Sequence, residues 1–555
     1  MSAALPAVQR AVVFTARDQV IVEPAKPVPP LGPTQLMLEM EACGICFSDT
    51  KLLHAFAAHP RKSPITAGLS AAELAEIPTY APGELPLTPG HEPVGRIVAV
   101  GSAVQHHRVG ERVLVQTDYR HLPTAASYAA FGYTFDGGLA EYALVDERMV
   151  VDPATGARYL IPVDEQLSAS AVALIEPWAC VEEAYAWPER QGLRPGGDLL
   201  VVCEPGHSAR GLAAAAAAAQ PRRVVVVGTP PAEWPAAGQP FEAAADLAAV
   251  TGAFDDIVYA GADPATLAAL GPRLKAAGLL AIVTGGARFG APSAVDVGRV
   301  HYDLIRYAGT TTDDLQAAYA RIPATTELRA GDRLAVIGAA GPMGLMHAVR
   351  AATSGIAGLS LDAVDVDEAR LARLAEVLGP TAAARGVPTR IWNSAAEPLP
   401  EQSYEYVALM VPAASLVEQA VALAADGAIV NAFAGFAVGT VAHLDFDAVV
   451  ERGLYLVGTS GSRIEDMATV LARVQAGLVD TNVSMGAVTG LDGVPDAIAA
   501  VANRAIQGKI MVYPKLAGLG LVRLSELPTR LPAVAAAMDG GRWTKAAEDV
   551  LLATA

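Results

Sequence analysis

Cysteine is scarce in this chain, which has only four among its 555 residues. That is too few to hold a chain of this size together by disulfides. Positive charge is also in short supply, since 40 Lys and Arg face 58 Asp and Glu and leave a formal net charge of −18. A phosphate backbone would be repelled by this surplus. We therefore expect neither a disulfide scaffold nor a nucleic-acid partner.

Long apolar runs are missing as well. No uninterrupted apolar span reaches the roughly 20 residues that a membrane helix needs. The opening stretch "MSAALPAVQRAVVF" lacks the basic-then-apolar order of a secretory signal. These absences predict a cytoplasmic protein that does not bind membranes.

What the chain has is apolar material, 52% of its residues, enough for several cores and two to four domains. From Val12 to about Tyr142 it consists of short strands with frequent Gly and Pro, such as "VGRIVAVG", which predicts an all-β, barrel-like unit. From about Leu193, apolar strands alternate with alanine-rich helical stretches. That alternation is typical of βαβ units with a parallel sheet.

The α/β part contains a long-period repeat. "LRPGGDLLVVCEPGHSA" returns as "LRAGDRLAVIGAAGPMG", which aligns Leu193 with Leu328, Gly206 with Gly341 and Ala209 with Gly344. The period far exceeds that of a solenoid and predicts a duplicated domain. We predict a catalytic domain over 1–188, a degenerate Rossmann-like repeat over 189–325, an NAD-binding Rossmann domain over 326–480, and a C-terminal segment over 481–555 that returns to the catalytic domain. Both repeats are expected to be doubly wound parallel sheets.

The second copy of the repeat has the features of a dinucleotide site. Strand Leu334–Ile337 runs into a glycine turn and then a helical run, whose N-terminus offers amide donors to a pyrophosphate. Asp365, at the end of the next strand, can accept both ribose hydroxyls and would repel a 2′-phosphate, which favours NAD over NADP. The predicted cofactor-binding residues are Gly338, Ala340, Gly341, Pro342, Met343, Gly344, Asp365 and Arg370.

The first copy fails the same test. Cys203, Glu204 and Pro205 occupy its tight turn, Ala209 replaces the last glycine, and Gly228 stands where Asp365 does in the second copy. Glu204 would repel a phosphate. We interpret this repeat as one that has lost NAD binding, although His207 and Arg210 could bind a different anion.

A second constellation has the residue types of a catalytic zinc site, which takes about three Cys, His or Glu ligands and leaves one position open. Cys46, His91 and either Glu176 or Glu92 could supply them. The alternative for Cys43 and Cys46 is a redox pair or two buried small residues. A histidine such as His91, taken alone, is more often a core histidine than a metal ligand.

The motifs "GICFSD", "PGHEPVGRIVAVGSAV", "VGERVLV", "DGGLAEYALV" and "ALIEPWACVEEAY" resemble those of zinc-dependent medium-chain alcohol and polyol dehydrogenases. "IVNAFAG", "GKIMVYP" and "WTKAAEDVLL" are similar to the branch of sorbitol dehydrogenase and sorbose-1-phosphate reductase. The resemblance implies a GroES-like catalytic domain with one catalytic zinc.

In that family the matching ligands are Cys46, His91 and Glu176, with Glu92 as an alternate. Asp49 would orient His91, and Ser48 would receive the alcohol proton. Many relatives end a proton relay with a histidine where this chain has Lys51, so Lys51 joins Ser48, Asp49 and Glu92 among the candidate catalytic residues. Arg96 to Gly138 contains no cysteine, so the structural zinc of many relatives is expected to be absent.

The resemblance implies an NAD-dependent oxidoreductase acting on a small-molecule polyol, sugar or sugar phosphate. One alternative is a redox-neutral epimerase or lyase that keeps NAD bound and works through a transient ketone. Another is a nucleotide-responsive scaffold without turnover.

Subunits of the family commonly pair their Rossmann domains edge to edge. We hypothesise that the first repeat plays the partner's part within the chain, as an internal pseudo-dimer, while a homo-oligomer stays open. Among the remaining histidines, we expect His106 and His107 to be solvated and His301 to be structural.

Overall fold

The structure is a computed structural model that describes residues 5–230, 232–234 and 240–554. It divides into two compact units, one of residues 1–182 with 461–555 and one of residues 183–460. Among the helices within those described ranges, none combines the length and the apolar character that crossing a membrane requires.

The N-terminal segment is mostly strand, with short helices between. Its strands are β1 (Val8–Ala16), β2 (Gln19–Pro27), β3 (Gln35–Ile45), β4 (Glu92–Val100), β5 (Arg112–Val115), β6 (Asp118–Pro123), β7 (Tyr128–Ala130), β8 (Tyr142–Asp146) and β9 (Leu160–Pro162). Its helices are α1 (Phe47–Ala55), α2 (Ala71–Ala75), α3 (Glu147–Val150), α4 (Ala169–Ala173) and α5 (Ile175–Ala186).

The unit of residues 183–460 alternates strands and helices. Its strands are β10 (Asp198–Cys203), β11 (Arg223–Gly228), β12 (Glu242–Ala244), β13 (Phe254–Ala260), β14 (Leu274–Val283), β15 (Ser293–Asp296), β16 (Arg306–Thr310), β17 (Arg333–Ile337), β18 (Ser360–Asp365), β19 (Thr389–Asn393), β20 (Tyr404–Leu409), β21 (Ala424–Asn431), β22 (Val441–Leu444) and β23 (Tyr455–Val457). Its helices are α6 (Leu212–Ala219), α7 (Pro264–Leu270), α8 (Val297–Tyr302), α9 (Leu315–Tyr319), α10 (Pro342–Ala352), α11 (Glu368–Arg385), α12 (Ala414–Leu423) and α13 (Phe446–Arg452).

This unit is built on one twelve-stranded sheet in the order β12-β11-β10-β13-β14-β16-β23-β21-β20-β17-β18-β19. We name β10–β14 with β16 the first half, and β17–β21 with β23 the second half. Numbered within each half, both have the order 3-2-1-4-5-6, the order of a dinucleotide-binding sheet. Neighbouring strands within each half are parallel, and their near-continuous apolar sequences suit a sheet covered on both faces.

The two halves meet through antiparallel pairs. Strand β16 pairs with β23 at Tyr307 and Leu456, which closes the gap between the half-sheets. Beside it, β15 and β22 form a two-stranded ribbon in which Ser293 faces Leu444. Strands β15 and β22 lie at equivalent positions in the two copies of the repeat. The ribbon therefore pairs two equivalent segments, as an interface on a two-fold axis does.

A buried ion pair lies at the same junction. Arg306 Nε donates to Glu189 Oε1 over 3.0 Å, and the Tyr455 hydroxyl donates to Glu189 Oε2 over 2.7 Å. Glu189 thus binds a residue of β16 and a residue of β23 together. Burial of the Glu189 carboxylate is tolerated because each of its two oxygens accepts a hydrogen bond.

The C-terminal segment completes the first unit. It contains α14 (Ile464–Gln475), β24 (Met485–Thr489), α15 (Val494–Ala502), β25 (Lys509–Val512), β26 (Val522–Arg523), α16 (Leu527–Arg530), α17 (Pro532–Ala536) and α18 (Lys545–Leu552). Helix α14, which the sequence placed in the second Rossmann domain, lies in this unit, where Gln475 Nε2 donates to Asp164 over 2.9 Å.

The large sheet of the first unit has the order β26-β24-β25-β3-β4-β5-β9, and β8 also pairs with β3. Strand β3 is almost wholly buried because β4, β25 and β8 cover its edges. Its apolar side chains enter two cores, one with α15 and one with the residues around β5 and β8. Strand β3 is thereby a rigid base for the residues that follow it.

Candidate active site

The candidate metal site forms where β3 ends and β4 begins. The antiparallel register places Gly44 opposite Glu92, so Cys46, just after β3, comes beside His91 and Glu92 at the start of β4. The ligand atoms of Cys46, His91 and Glu92 all lie within 4.8 Å of one another. We call these three residues the metal group.

Asp49, on the first turn of α1, holds two members of the metal group in place. Its Oδ1 lies 3.1 Å from His91 Nδ1, and its Oδ2 accepts the Cys46 backbone N–H over 2.8 Å. A carboxylate can only accept, so Nδ1 carries the imidazole proton and the Nε2 lone pair is left for a metal. Burial opposes protonation of His91, whereas Tyr133 and Asp49 raise its pKa, which lies well above the ordinary value.

Glu92 provides the test of whether a cation fits. Its Oε1 accepts from Lys509 Nζ, whereas its Oε2 is buried without a hydrogen-bond partner among the residues the structure describes. A Cβ at position 44 would overlap that oxygen, so Gly44 leaves room for the Glu92 carboxylate in its present position. A buried carboxylate oxygen without a donor is costly, and a bound cation would satisfy it. The thiolate, imidazole and carboxylate donors suit zinc.

Glu176 and Cys43 lie nearby but outside the metal group. Burial raises the pKa of Glu176 to about 7; the charge of Glu92 acts in the same direction and that of His91 opposes it. Cys43 is fully buried, and burial raises its pKa above the ordinary value, which keeps the thiol protonated. Of the two cysteines, only Cys46 is placed to bind a metal.

The candidate proton-handling residues both lie on α1. Ser48 Oγ is 3.0 Å from Cys46 Sγ and 3.2 Å from His91 Nε2, so its hydroxyl faces the metal group. Lys51 lies one turn further, with Nζ 5.6 Å from the centroid of the Phe47 ring.

Sequence reasoning missed four polar residues beside the metal group. The Tyr133 ring lies 5.1 Å from the His91 ring and 5.2 Å from the His59 ring, and the Arg61 guanidinium stands 5.2 Å from its centroid. Burial lowers the pKa of His59 to about 4, and the charges of Arg61 and Lys51 add to the effect. Lys509 was also missed, although its motif "GKIMVYP" contributed to the family resemblance.

In the second half, the glycine loop joins β17 to α10, which begins at Pro342 and Met343. A Cβ on Gly344 would overlap the carbonyl oxygen of Gly338, so glycine allows the helix to approach the strand. Asp365 ends β18, and its Oδ2 accepts the Ala340 N–H over 3.2 Å. Arg370 Nη2 lies 3.5 Å from the position of a Cβ on Gly341. The predicted cofactor residues therefore converge on one loop.

The corresponding loop of the first half is filled by its own chain. Glu233 Oε1 accepts the Gly211 N–H at the start of α6 over 2.9 Å, and Glu204 accepts from the Tyr259 hydroxyl. Gly228 faces Cys203 at the strand ends, so no carboxylate ends β11 as Asp365 ends β18. Arg210 pairs with Asp314 over 3.1 Å.

Two predictions about other histidines have different outcomes. His107 is 3% exposed and its Nδ1 lies 2.8 Å from Glu147 Oε1, so the expectation that it is solvated is wrong, whereas His106 is exposed. His301 is buried, with Nδ1 3.3 Å from the Ala432 carbonyl oxygen, as a structural residue would be.

Comparison with known proteins adds to this geometry. The model of the alcohol dehydrogenase GroES-like domain matches residues 32–154. The chain is 33% identical over 140 residues to YphC of Escherichia coli K12, an uncharacterized zinc-type alcohol dehydrogenase-like protein, covering 22% of this chain and 34% of YphC. It is 30% identical over 165 residues to (R,R)-butanediol dehydrogenase of Bacillus subtilis, covering 27% and 39%.

A third relative is sorbitol dehydrogenase of Halalkalibacterium halodurans, 28% identical over 192 residues that cover 33% of this chain and 45% of the relative. The chain thus spans less than half the length of these curated relatives. The solved 2R,3R-butanediol dehydrogenase of Bacillus subtilis superposes with a TM-score of 0.50 at 16% identity, over 91% of this chain and all of that one. The predicted GroES-like domain and the α/β architecture are confirmed.

Proposed function

Since this chain belongs to the medium-chain zinc-dependent dehydrogenase family, we propose that it oxidises a secondary alcohol of a polyol, sugar or sugar phosphate to the ketone, with NAD as the electron acceptor, and catalyses the reverse reduction. The metal group carries this proposal. A thiol, an imidazole and a carboxylate within 4.8 Å, together with an orphaned Glu92 oxygen, have no simpler role than holding a cation. The names of the butanediol and sorbitol dehydrogenases support the substrate class.

Cys46, His91 and Glu92 are the proposed zinc ligands, and Glu176 is the neighbouring carboxyl. Zinc bound there would supply Lewis acidity that lowers the pKa of an alcohol. No second zinc is proposed, because residues 96–138 contain no cysteine.

The other residues of the site position groups and move a proton. Asp49 fixes the orientation of His91 and Cys46 through its two hydrogen bonds. The Ser48 hydroxyl, 3.2 Å from His91 Nε2, is placed to accept a hydrogen bond from an alcohol entering the metal group and to relay the proton, giving up its own hydroxyl hydrogen as it takes the new one. Lys509 neutralises Glu92 at Oε1, which leaves Oε2 as the ligand atom.

NAD is assigned to the second half. Gly341, the residue that precedes α10, has no side chain of its own to cap the helix, which leaves the first amides for a pyrophosphate, and we expect Asp365, at the end of β18, to bind the adenosine ribose. In the first half, the carboxylate of Glu233 takes the corresponding place at Gly211. We therefore assign one NAD to each chain.

We also propose that the first half acts as an internal partner. The shared 3-2-1-4-5-6 order and the antiparallel junction support a duplicated Rossmann domain in which one copy kept its fold and lost its cofactor loop.

The test is a panel of polyols, sugars and their phosphates with NAD⁺, followed by nicotinamide absorbance on protein of measured zinc content. Cys46→Ser should lose both zinc and turnover, while Cys43→Ala, a matched change outside the metal group, should keep both. Silence across the panel with zinc and NAD bound would point instead to redox-neutral chemistry. Protein that binds no zinc and turns nothing over would favour the scaffold.

A further inference from the structure

One buried tyrosine beside the metal group has no part in the reaction proposed above. The centroid of the Tyr133 ring lies 5.1 Å from that of the His91 ring, and only 2% of the residue is exposed. Its hydroxyl has no hydrogen-bond partner among the residues described by the structure, although a buried tyrosine hydroxyl usually finds one. It is not sealed in the core, as the partnerless hydroxyls of Tyr119 and Tyr319 are. A small molecule can therefore reach the Tyr133 hydroxyl and bind to it.

Electrostatic interactions place the hydroxyl end of Tyr133 close to the metal group. Burial lowers the pKa of His91, and Tyr133 is the strongest of the groups that raise it, ahead of Asp49, although Asp49 Oδ1 is only 3.1 Å from His91 Nδ1. Burial raises the pKa of Tyr133, the charge of His91 opposes that rise, and Asp49 and Cys46 add to it. Since interactions between charges weaken with distance, the Tyr133 oxygen lies near both His91 and Cys46.

Contacts on the ring fix the position of this hydroxyl. The His59 ring lies 5.2 Å from the Tyr133 ring, and the Arg61 guanidinium lies 5.2 Å from the Tyr133 centroid. The turn that contains Tyr133 is tied to the same segment, because the Thr134 hydroxyl donates to the Arg61 carbonyl oxygen. A polar group that is held in place before its ligand arrives loses little further entropy on binding.

We propose that Tyr133 is a specificity-determining residue whose hydroxyl binds the second hydroxyl of a vicinal diol while the first enters the metal group. The inference rests on the dehydrogenase function proposed above. The reacting alcohol has Ser48 as its partner, 3.2 Å from His91 Nε2, which leaves Tyr133 for another oxygen of the same substrate. Because the Tyr133 ring contacts His91 directly, that oxygen is on the carbon next to the reacting one. A phenol hydroxyl can donate to and accept from a neutral hydroxyl, so a diol should be preferred to a simple secondary alcohol.

The first experiment compares 2,3-butanediol with 2-butanol, which lacks one of its hydroxyls, as substrates of the zinc-loaded enzyme with NAD⁺. We expect a higher kcat/KM for the diol. Tyr133→Phe keeps the ring and its contacts but removes the hydroxyl. It should lower kcat/KM for the diol about tenfold, the effect of losing one hydrogen bond between neutral groups, and leave kcat/KM for 2-butanol unchanged.

Tyr119→Phe is the matched control for this substitution. It removes another buried hydroxyl of the same unit that has no partner among the described residues, but one whose ring contacts do not include His91. The ratio of the two kcat/KM values should be the same in Tyr119→Phe as in the wild type.

A second readout does not require turnover. Cobalt(II) in place of zinc gives a visible absorption band that changes when a ligand reaches the metal, so the cobalt-loaded protein can be titrated with each alcohol in the absence of cofactor. The diol should bind about tenfold more tightly than 2-butanol, and this difference should be lost in Tyr133→Phe and kept in Tyr119→Phe.

The inference is overturned if the wild type does not prefer the diol in the titration or if Tyr133→Phe weakens both alcohols equally, since the ring would then only shape the site. It is also overturned if Tyr133→Phe keeps the preference, which would mean that the metal alone holds both oxygens of the diol. Failure of the dehydrogenase proposal has a different signature. Metal would bind without oxidation of any alcohol, and the cobalt titration would still decide the role of Tyr133. A protein that binds neither metal would overturn both proposals.

Discussion

At the scale of single residues, the two hydrogen bonds of Asp49 offer the most direct test of the metal group. Asparagine offers one acceptor and one donor group, so Asp49→Asn cannot accept from both His91 Nδ1–H and the Cys46 N–H. We expect a 10- to 100-fold loss of zinc affinity, as is typical when an orienting partner is removed, measured by competition with a chelator. Asp146→Asn, at another fully buried carboxylate of this unit, is the control; an equal loss there would argue that Asp49 only stabilises the fold.

Cofactor choice depends on Asp365. Replacing it by serine removes the carboxylate that we expect to bind the ribose hydroxyls and to repel a 2′-phosphate. Asp365→Ser should raise the KM for NAD about tenfold or more and reduce the preference for NAD over NADP, both from steady-state kinetics with the two cofactors. Asp367→Ser keeps a helix-capping side chain on α11 and should leave the preference unchanged. If both variants discriminate as the wild type does, Asp365 is not the selecting residue.

Some residues of the candidate site could be predicted from the sequence, and others could not. Cys46 and His91 could be found because they are zinc-ligand residue types and stand in motifs that resemble the dehydrogenase family, and Ser48 was found through that resemblance alone. The family resemblance favoured Glu176 over Glu92 as the third ligand, whereas the strand register that sets Glu92 opposite Gly44 brings Glu92 into the metal group; that register cannot be read from the sequence. Arg61 and Tyr133 belong to no sequence motif. They are far apart in the sequence and come together only in the folded chain, so they leave no local pattern. His107 was misjudged because Glu147, 40 residues later, covers it.

At the scale of elements, the packing of α10 on the loop after β17 depends on Gly344. Gly344→Ala would drive its Cβ into the Gly338 carbonyl, so the loop must open, at a cost of about 1–3 kcal/mol for overpacking. We expect NAD affinity to fall at least about tenfold with zinc content unchanged. Gly379→Ala is the matched change, since a Cβ inside α11 meets nothing within 4 Å. Normal NAD binding by Gly344→Ala would contradict the assignment of this loop.

Helix α10 also contains a titratable core residue. His347 is fully buried, its Nδ1 lies 2.8 Å from the Tyr185 hydroxyl, and burial lowers its pKa from 6.5 to about 3. The folded state thus disfavours protonation of His347. The free energy of unfolding is therefore unaffected by this residue above pH 6.5 and falls as the pH drops from 6.5 toward 3. The loss should approach about 1.4 kcal/mol per pH unit within that window.

The measurement is urea unfolding between pH 7 and pH 4. His347→Gln should flatten the pH dependence of the midpoint, whereas His443→Gln, at an exposed histidine, should leave it unchanged. Identical slopes in all three proteins would show that His347 does not set the acid sensitivity.

At the scale of the whole molecule, the unequal halves predict the cofactor stoichiometry. The second half has an uncapped helix start and Asp365, while Glu233 and Glu204 occupy the first. Calorimetry should give one NAD per chain, and Gly344→Ala should weaken that single site at least about tenfold. A second binding event in the wild type, or a site of unchanged affinity in the variant, would place NAD in the first half.

The repeat and the alternation of strands with helices could be predicted at this scale from sequence. The joining of the half-sheets could only be hypothesised, because β16, β23, β15 and β22 are short and their apolar residues do not indicate which edge they face. Which distant strands pair depends on how whole layers of the fold pack together. A short stretch of sequence does not contain that information.

The antiparallel junction has one further consequence. Strands held together between separate molecules come apart on dilution, but β15 and β22 are tethered in one polypeptide, and their local concentration is fixed by the chain between them. A substitution at this junction also occurs once rather than in two symmetry-related copies. The two strands of the junction can therefore change in sequence independently of each other. The pairing of β15 with β22 should also be equally complete at the lowest and at the highest expression level.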